Sequence, residues 1–251
     1  MIHCLQTERC LLIFDIHQDV EWARRVLEAE EGGFSHLLLG GDYFDTKSKN
    51  AASVPETCRF LQELQELYKD RVTFLLGNHD VPYLEGRHRF IHFQNPKNLS
   101  YKVSGYTNSK GRKINKLLSD GFWSACRLFQ FVNGYMISHA GVAHKYWVEF
   151  AETSHPLAAF DERCRESLER IGMGNDDLLM AGKCRGGDVS IGGVTWLDWD
   201  EEFQDDLPWP QIVGHTSSVF GARQNGRSWC IDGRQTCYAL LDADSSLEVK
   251  T

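Results

Sequence analysis

Short apolar runs that stop abruptly at small or polar residues set the rhythm of this chain. Leu11-Leu12-Ile13-Phe14 runs into Asp15, Leu37-Leu38-Leu39 into Gly40-Gly41-Asp42, and Val72-Thr73-Phe74-Leu75-Leu76 into Gly77-Asn78-His79-Asp80. Tyr135-Met136-Ile137 runs into Ser138-His139-Ala140-Gly141, and Ile212-Val213 into Gly214-His215-Thr216. Apolar runs this short, bounded by turn residues, predict five buried strands that each end in a polar loop. Between the early runs the period lengthens to that of a helix. Ser53-Val54-Pro55-Glu56 offers an N-cap, a first-turn proline and the glutamate of a capping box, with Leu61, Leu64 and Leu67 as the predicted buried face. A second helix is expected over about 21 to 31, with Trp22, Val26 and Leu27 inward.

Strands alternating with helices predict a largely parallel sheet at the N-terminus, whose ligands would lie at the carboxyl ends of the strands. The C-terminal third reads differently. Val194 to Trp199, Ile212-Val213, Ser228 to Ile231 and Tyr238 to Asp242 predict short strands, and Asn225-Gly226 predicts a hairpin, so a second sheet is expected there. The stretches at about 81–134 and 143–189 lack strand pattern and contain amphipathic pieces such as Phe160 to Ile171, which predicts helical insertions near the site. Residues 1–251 together are expected to form one α/β domain with two sheets and flanking helices.

Composition narrows the classes. The chain is 42% hydrophobic and 25% charged, as in a globular protein, and its net charge of -8 comes without any long basic block. A partner that tracks a nucleic-acid backbone is therefore not expected. No apolar run approaches the roughly 18 residues of a membrane span, and no leader pattern opens the chain. The eight cysteines include no Cys-x-x-Cys pair, which predicts reduced thiols in the cytoplasm rather than a thiolate zinc site.

The candidate chemistry sits at the strand ends. Asp15 and His17, two positions apart, point to the same side and could share a cation. Asp42 follows two glycines, and a carboxylate presented there could bridge two cations about 3.5–4 Å apart. Asn78 supplies a neutral amide oxygen, and His139 and His215 add imidazoles from two further strand ends. Of the ten histidines, His3, His36, His88, His92, His144 and His155 are read as surface or structural residues. The conjunction of Asp, His, Asp, Asn, His and His forms a nitrogen and oxygen donor set suited to manganese, iron or zinc rather than calcium, and manganese is the metal expected.

In this order, Asp15-Ile16-His17, Gly41-Asp42-Tyr43-Phe44-Asp45, Gly77-Asn78-His79-Asp80, His139-Ala140-Gly141 and Gly214-His215-Thr216 resemble the motifs of the calcineurin-like metallophosphoesterases, over about residues 10 to 242. The resemblance is greatest to the serine/threonine phosphoprotein phosphatase and diadenosine-tetraphosphatase-like branch, because of the final Gly-His-Thr and of Thr195-Trp196-Leu197-Asp198. It implies a β-sandwich flanked by helices. It also implies two divalent ions, the first on Asp15, His17 and Asp42 and the second on Asp42, Asn78, His139 and His215. A water that the metals activate would attack a phosphomonoester in line, with His79 as general acid and Asp45 hydrogen-bonded to it. Asp80 is read as structural, capping the segment that follows it.

Two departures bear on the substrate. Where the protein-phosphatase pattern has an arginine after Asp45, this chain has Thr46-Lys47, and no Lys or Arg lies between Trp196 and His215. The candidates to hold phosphate instead are Lys47, Arg185, Arg223 and Arg234. Asp198, Asp200, Glu201, Glu202, Asp205 and Asp206 read as a solvated acidic face, and the glycine-rich run Gly182 to Gly187 as a flexible loop. The expected substrate is a phosphoprotein or a small phosphorylated molecule. A dinucleoside polyphosphate or phosphodiester hydrolase is the alternative within enzymes, and a catalytically silent binding module is the alternative outside them.

Overall fold

The computed structural model describes residues 4–46, 48, 51–93 and 99–251, and the side chains of 90–93 are not described. The strands are β1 (Arg9–Ile13), β2 (His36–Leu39), β3 (Val72–Leu75), β4 (Cys126–Arg127), β5 (Phe129–Val132), β6 (Tyr135–Ser138), β7 (Gln211–Val213), β8 (Arg223–Asn225), β9 (Ser228–Cys230), β10 (Tyr238–Asp242) and β11 (Leu247–Lys250). The helices are α1 (Val20–Ala29), α2 (Val54–Tyr68), α3 (Val81–Phe93), α4 (Asn108–Leu117), α5 (Asp120–Ala125), α6 (His144–Ala151) and α7 (Pro156–Glu169). One sheet runs β11-β10-β1-β2-β3-β4 and the other β5-β6-β7-β9-β8. This is the two-sheet, helix-flanked α/β arrangement that the strand pattern predicts.

The period of two along β1 divides the core. Cys10 and Leu12 face the second sheet and join Leu38, Leu75, Val132, Ile137 and Ile212 in the layer between the sheets. Leu11 and Ile13 face the other way and pack with Trp22 and Val26 of α1 and with Phe60, Leu61 and Leu64 of α2. A strand buried on both faces has to be apolar throughout, hence the unbroken Leu-Leu-Ile run. On the outer face of the second sheet, Phe129 meets Phe160 of α7 at a ring separation of 5.1 Å. Strands β1, β2 and β3 are mutually parallel, as are β6 and β7. Their carboxyl ends carry Asp15, Asp42, Asn78, His139 and His215.

The predicted capping box of α2 is present: Ser53 accepts from Glu56 N while Glu56 accepts from Ser53 N. Leu67, expected inside, is 66% exposed, and Thr57, Cys58, Phe60, Leu61 and Leu64 form the buried stripe. Successive three-residue steps each fall short of a full turn, so by Leu67 the side chain has rotated off the face that Leu61 occupies. Val194 to Trp199 is not a strand. Val194 N donates to Leu178 O, and Trp196 N and Leu197 N both fold back to Gly193 O, so this apolar run is a buried turn. β10 does not join the second sheet; it pairs antiparallel with β1, Leu12 opposite Ala239, and satisfies the edge that β2 leaves open. The stretch before Tyr135 contains β4 and β5 as well as helices, where no strand was expected. Gly182 to Gly187 forms an ordered turn, with Gly187 N donating to Gly182 O.

His36 is buried at the head of β2, its Nε2 3.0 Å from Thr73 Oγ1, and burial lowers its pKa from 6.5 to about 4. The unfolded chain therefore takes up this proton near 6.5 and the folded chain only near 4, so stability falls as pH drops across that window. Urea denaturation should show the native protein losing about 2 kcal/mol more than His36→Gln between pH 7 and pH 5. Equal losses in the two proteins would remove His36 as the cause.

Candidate metal centre

Each sheet delivers its polar residues through backbone that few side chains adopt. Asp15 (φ 51°), His17 (φ 43°), Gln18 (φ 66°), Asp42 (φ 54°), Asp45 (φ 67°) and His215 (φ 67°) all have the left-handed conformation, disfavoured for residues with a Cβ. Such strain, concentrated at the ends of β1, β2 and β7, persists only where the surroundings over-determine it. Close approach adds a second constraint. A Cβ on Gly77 would lie 2.1 Å from Asp42 Oδ1, and one on Gly214 would lie 2.1 Å from Asp15 Oδ2, so these glycines let the carboxylates pack against bare backbone.

The structure brings all six residues expected to bind metal, Asp15, His17, Asp42, Asn78, His139 and His215, to one edge of the sandwich. Donor atoms of Asp15, His17 and Asp42 lie within 4.8 Å of one another, and so do those of Asp42, His139 and His215. Asp42 is common to both groups. His17 Nε2 is 3.5 Å from Asp42 Oδ2 and His139 Nε2 is 3.5 Å from Asp42 Oδ1. Asn78 Oδ1 lies 3.1 Å from His139 Nε2.

The ring orientations are set from behind. His17 Nδ1 donates to Phe44 O at 2.9 Å and His139 Nδ1 donates to Gly40 O at 2.8 Å, which turns the Nε2 of each ring toward the carboxylate. Ring nitrogens and carboxylate oxygens thus crowd together around Asp42. Asp15 Oδ1 and His215 Nε2 are buried with no hydrogen-bond partner. Buried oxygen and nitrogen atoms left without a partner in a set of carboxylates and imidazoles are what a divalent cation would satisfy, so the residues present fit such ions.

Electrostatics express the same tension. Burial, together with the charges of Asp232 and Asp42, pushes the Asp15 carboxyl well above the usual range. Burial also opposes ionisation of Asp42, yet the imidazoles of His139, His79, His17 and His215 hold its carboxyl below that range. Burial lowers His139, and burial, His139 and Arg185 lower His215, so both favour the neutral, ligating form.

His79 stands beside this cluster, its ring 5.2 Å from that of His17 and edge-on to it. Its backbone N–H donates to Asp42 Oδ1 at 2.8 Å, and its Nδ1 donates to Asp45 Oδ2 at 3.2 Å. Burial works against protonation of His79, but Asp42 and Asp45 outweigh it and raise the pKa. Asp80 accepts from Asp42 N at 2.7 Å, Gly77 N at 2.9 Å and Tyr43 N at 3.1 Å. It is structural, as expected, but what it ties is the loop before α3 to the loop that carries Asp42.

Several neighbours escaped the sequence reading. Asp232, buried after β9, is one more apolar run ending at Asp-Gly and carried the same signal as the others. Gln18, Tyr83 and Lys110 all contact Asp45, and nothing in their local sequence marks them. Of the candidates to hold phosphate, Lys47 lies outside the described residues. Arg185 reaches Asp198 Oδ2 at 2.5 Å and Thr216 Oγ1 at 2.9 Å, next to His215. Arg223 pairs with Asp200 and donates to Thr216 O, while Arg234 donates to Ser217 Oγ at 3.3 Å. The acidic stretch is not simply solvated: Asp198 is buried against Arg185, Glu202 accepts from Gly192 N and Asp198 N, and Asp205 pairs with Arg227. Loop backbone and arginines from elsewhere in the chain use these charges, which local charge density does not reveal.

A family model described as calcineurin-like phosphoesterase matches residues 9–237. Among solved structures, a cold-active protein-tyrosine phosphatase of the psychrophile Shewanella sp. superposes with a TM-score of 0.62 at 16% identity, covering 98% of this chain and 81% of that one. A protein serine/threonine phosphatase from Saccharomyces cerevisiae gives 0.53 at 14% identity, covering 100% and 83%. A protein provisionally assigned as a diadenosine tetraphosphatase gives 0.52 at 13% identity, covering 97% and 93%. At these identities the likeness is one of fold. No curated protein matches the chain.

Removing the Asp80 carboxylate would orphan three buried N–H groups at once. Asp80→Ala is expected to cost about 3 kcal/mol or more in urea denaturation, at about 1–3 kcal/mol for each abandoned donor. A cost below about 1 kcal/mol would mean that these amides find other partners.

Proposed function

The chain belongs to the calcineurin-like phosphoesterases, and from that membership we propose that it is a phosphomonoesterase that works with two divalent metal ions. The observation that carries this reading is the sharing of Asp42 between two donor groups, with a buried partnerless atom in each, Asp15 Oδ1 in one and His215 Nε2 in the other. Asp15, His17 and Asp42 would hold one ion, and Asp42, Asn78, His139 and His215 the other. The donor set suits manganese, iron or zinc, and manganese is the ion we expect there. Ions held there would lower the pKa of water and offset the charge on the phosphoryl oxygens.

The chain's own residues supply the rest. His79 in its protonated form keeps Nδ1–H on Asp45 and presents Nε2–H to the leaving oxygen. Asp45 holds that ring in place and, as a carboxylate, supports its positive charge. Arg185 is anchored by Asp198 and Thr216 beside His215, where its guanidinium could meet a phosphoryl oxygen. No helix among the described residues is long and apolar enough to cross a membrane. All eight cysteines are free thiols, which supports a cytoplasmic setting.

The test is a panel of phosphoesters assayed with manganese, iron, zinc and magnesium after metal stripping, with Asp42→Asn alongside. Phosphate release from monoesters that is abolished in Asp42→Asn is expected. Activity confined to dinucleoside polyphosphates or phosphodiesters would replace the substrate class, and manganese binding without hydrolysis of any ester would make the chain a silent binding module. Arg185→Ala should raise KM for the monoester by about tenfold with a smaller effect on kcat, the loss of about 1.4 kcal/mol of uniform binding. An unchanged KM would remove Arg185 from the substrate site.

A further inference from the structure

Lys110 lies where helix physics disfavours it. It occupies the first turn of α4, capped by Thr107 and without a first-turn acid. A cation there opposes the positive end of the helix dipole, at a cost of about 0.3–1 kcal/mol. Its side chain turns back over the helix end toward the metal centre. Nζ donates to Asp45 Oδ1 at 2.5 Å and to Gly105 O at 2.9 Å. Tyr83 of α3 donates its hydroxyl to the same Oδ1 at 2.6 Å. Gly105, with φ 93°, packs so closely that a Cβ on it would come 2.9 Å from Asp45 Cβ. The turn before α4 therefore covers Asp45, whose side chain is fully buried.

This arrangement divides the two oxygens of one carboxylate. Oδ1 is occupied by an ammonium and a phenol, and Oδ2 is left for His79 Nδ1. A carboxylate held at one oxygen by two donors cannot rotate without breaking both bonds, so the direction of its second oxygen is set. Gln18 restrains the backbone as well, since its Oε1 accepts from Asp45 N at 3.2 Å.

We infer that Lys110, with Tyr83, is a positioning residue for the general acid: it fixes Asp45 so that Oδ2 orients the His79 ring toward the leaving oxygen. This rests on the phosphomonoesterase reading above. Lys110 makes no bond to substrate in this scheme. The proton passes from His79 Nε2 to the leaving oxygen as the P–O bond breaks, His79 keeps its Nδ1–H on Asp45, and solvent returns the proton. Misplacing the ring harms that transfer alone, and an ester whose leaving group departs readily as an anion hardly needs it.

The experiment compares p-nitrophenyl phosphate, which has a good leaving group, with β-glycerophosphate, which has a poor one, on the manganese-loaded full chain. Lys110→Met and Tyr83→Phe are each tested, with Lys113→Met on the exposed side of α4 as control. For both test variants kcat on β-glycerophosphate should fall by about 10- to 100-fold, while kcat on the nitrophenyl ester and KM on both stay within about twofold. An equal fall on both esters, or a rise in KM with kcat preserved, overturns the inference in favour of a packing or substrate-binding role. If the native protein hydrolyses neither ester, the hydrolase reading fails instead. The geometric claim is then judged from the His79 Nδ1–H proton resonance, which should be observable in the native protein and lost in the Lys110→Met/Tyr83→Phe double variant; its persistence overturns the claim.

Discussion

The carboxylate of Asp80 holds the ends of β2 and β3 together. By accepting from the backbone of Asp42, Tyr43 and Gly77, it ties two loops that no ladder hydrogen bond joins. Once they are tied, Asp42 Oδ1 falls within reach of His79 N, and Gly77 must lack a side chain because Asp42 occupies its space. Asp42 then takes a left-handed backbone that it would not adopt alone. The position of the shared carboxylate is thus a consequence of a residue whose own carboxylate is occupied by backbone amides.

Around that point the protein gathers charges of one sign. Asp15, Asp42, Asp80 and Asp232 are all buried, and burial raises three of them while only Asp42, ringed by imidazoles, is pulled the other way. Like charges in a low dielectric destabilise the fold unless something offsets them. Asp80 is offset by amides. Asp15 has a backbone bond from His215 N to one oxygen and nothing for the other. That imbalance, together with two donor groups that share Asp42, gives the site the character of a cation receptor rather than of a finished polar core.

The helical stretches serve this edge in different ways. α3 starts directly after Asp80 and brings Tyr83, and α4 brings Lys110, and both bond the carboxylate of Asp45 that holds His79. The turn containing Arg185 is held by Asp198 and by Thr216, which directly follows His215. Within the acidic stretch after Trp196, Asp198, Asp200 and Asp205 are counter-charges for Arg185, Arg223 and Arg227.

Much of this was legible from the sequence, because the information was local. An apolar run ending at Gly, Asp, Asn or His is a strand that stops at the sheet edge, and five such endings located Asp15, Asp42, Asn78, His139 and His215. The capping box of α2 was equally local. What only the tertiary structure decided were the relations between distant segments. β10 pairs with β1 because an open strand edge needs hydrogen bonds, and no pattern within Tyr238 to Asp242 names the partner. Val194 to Trp199 is a buried turn because a short apolar run records burial without recording backbone shape. Lys110, Tyr83 and Arg185 reach the centre through long side chains from helices and a turn whose own periodicity is unaffected by where those side chains end. The sequence alone determined which residues stop at the edge of the sheet; the folded chain decided which others come to meet them.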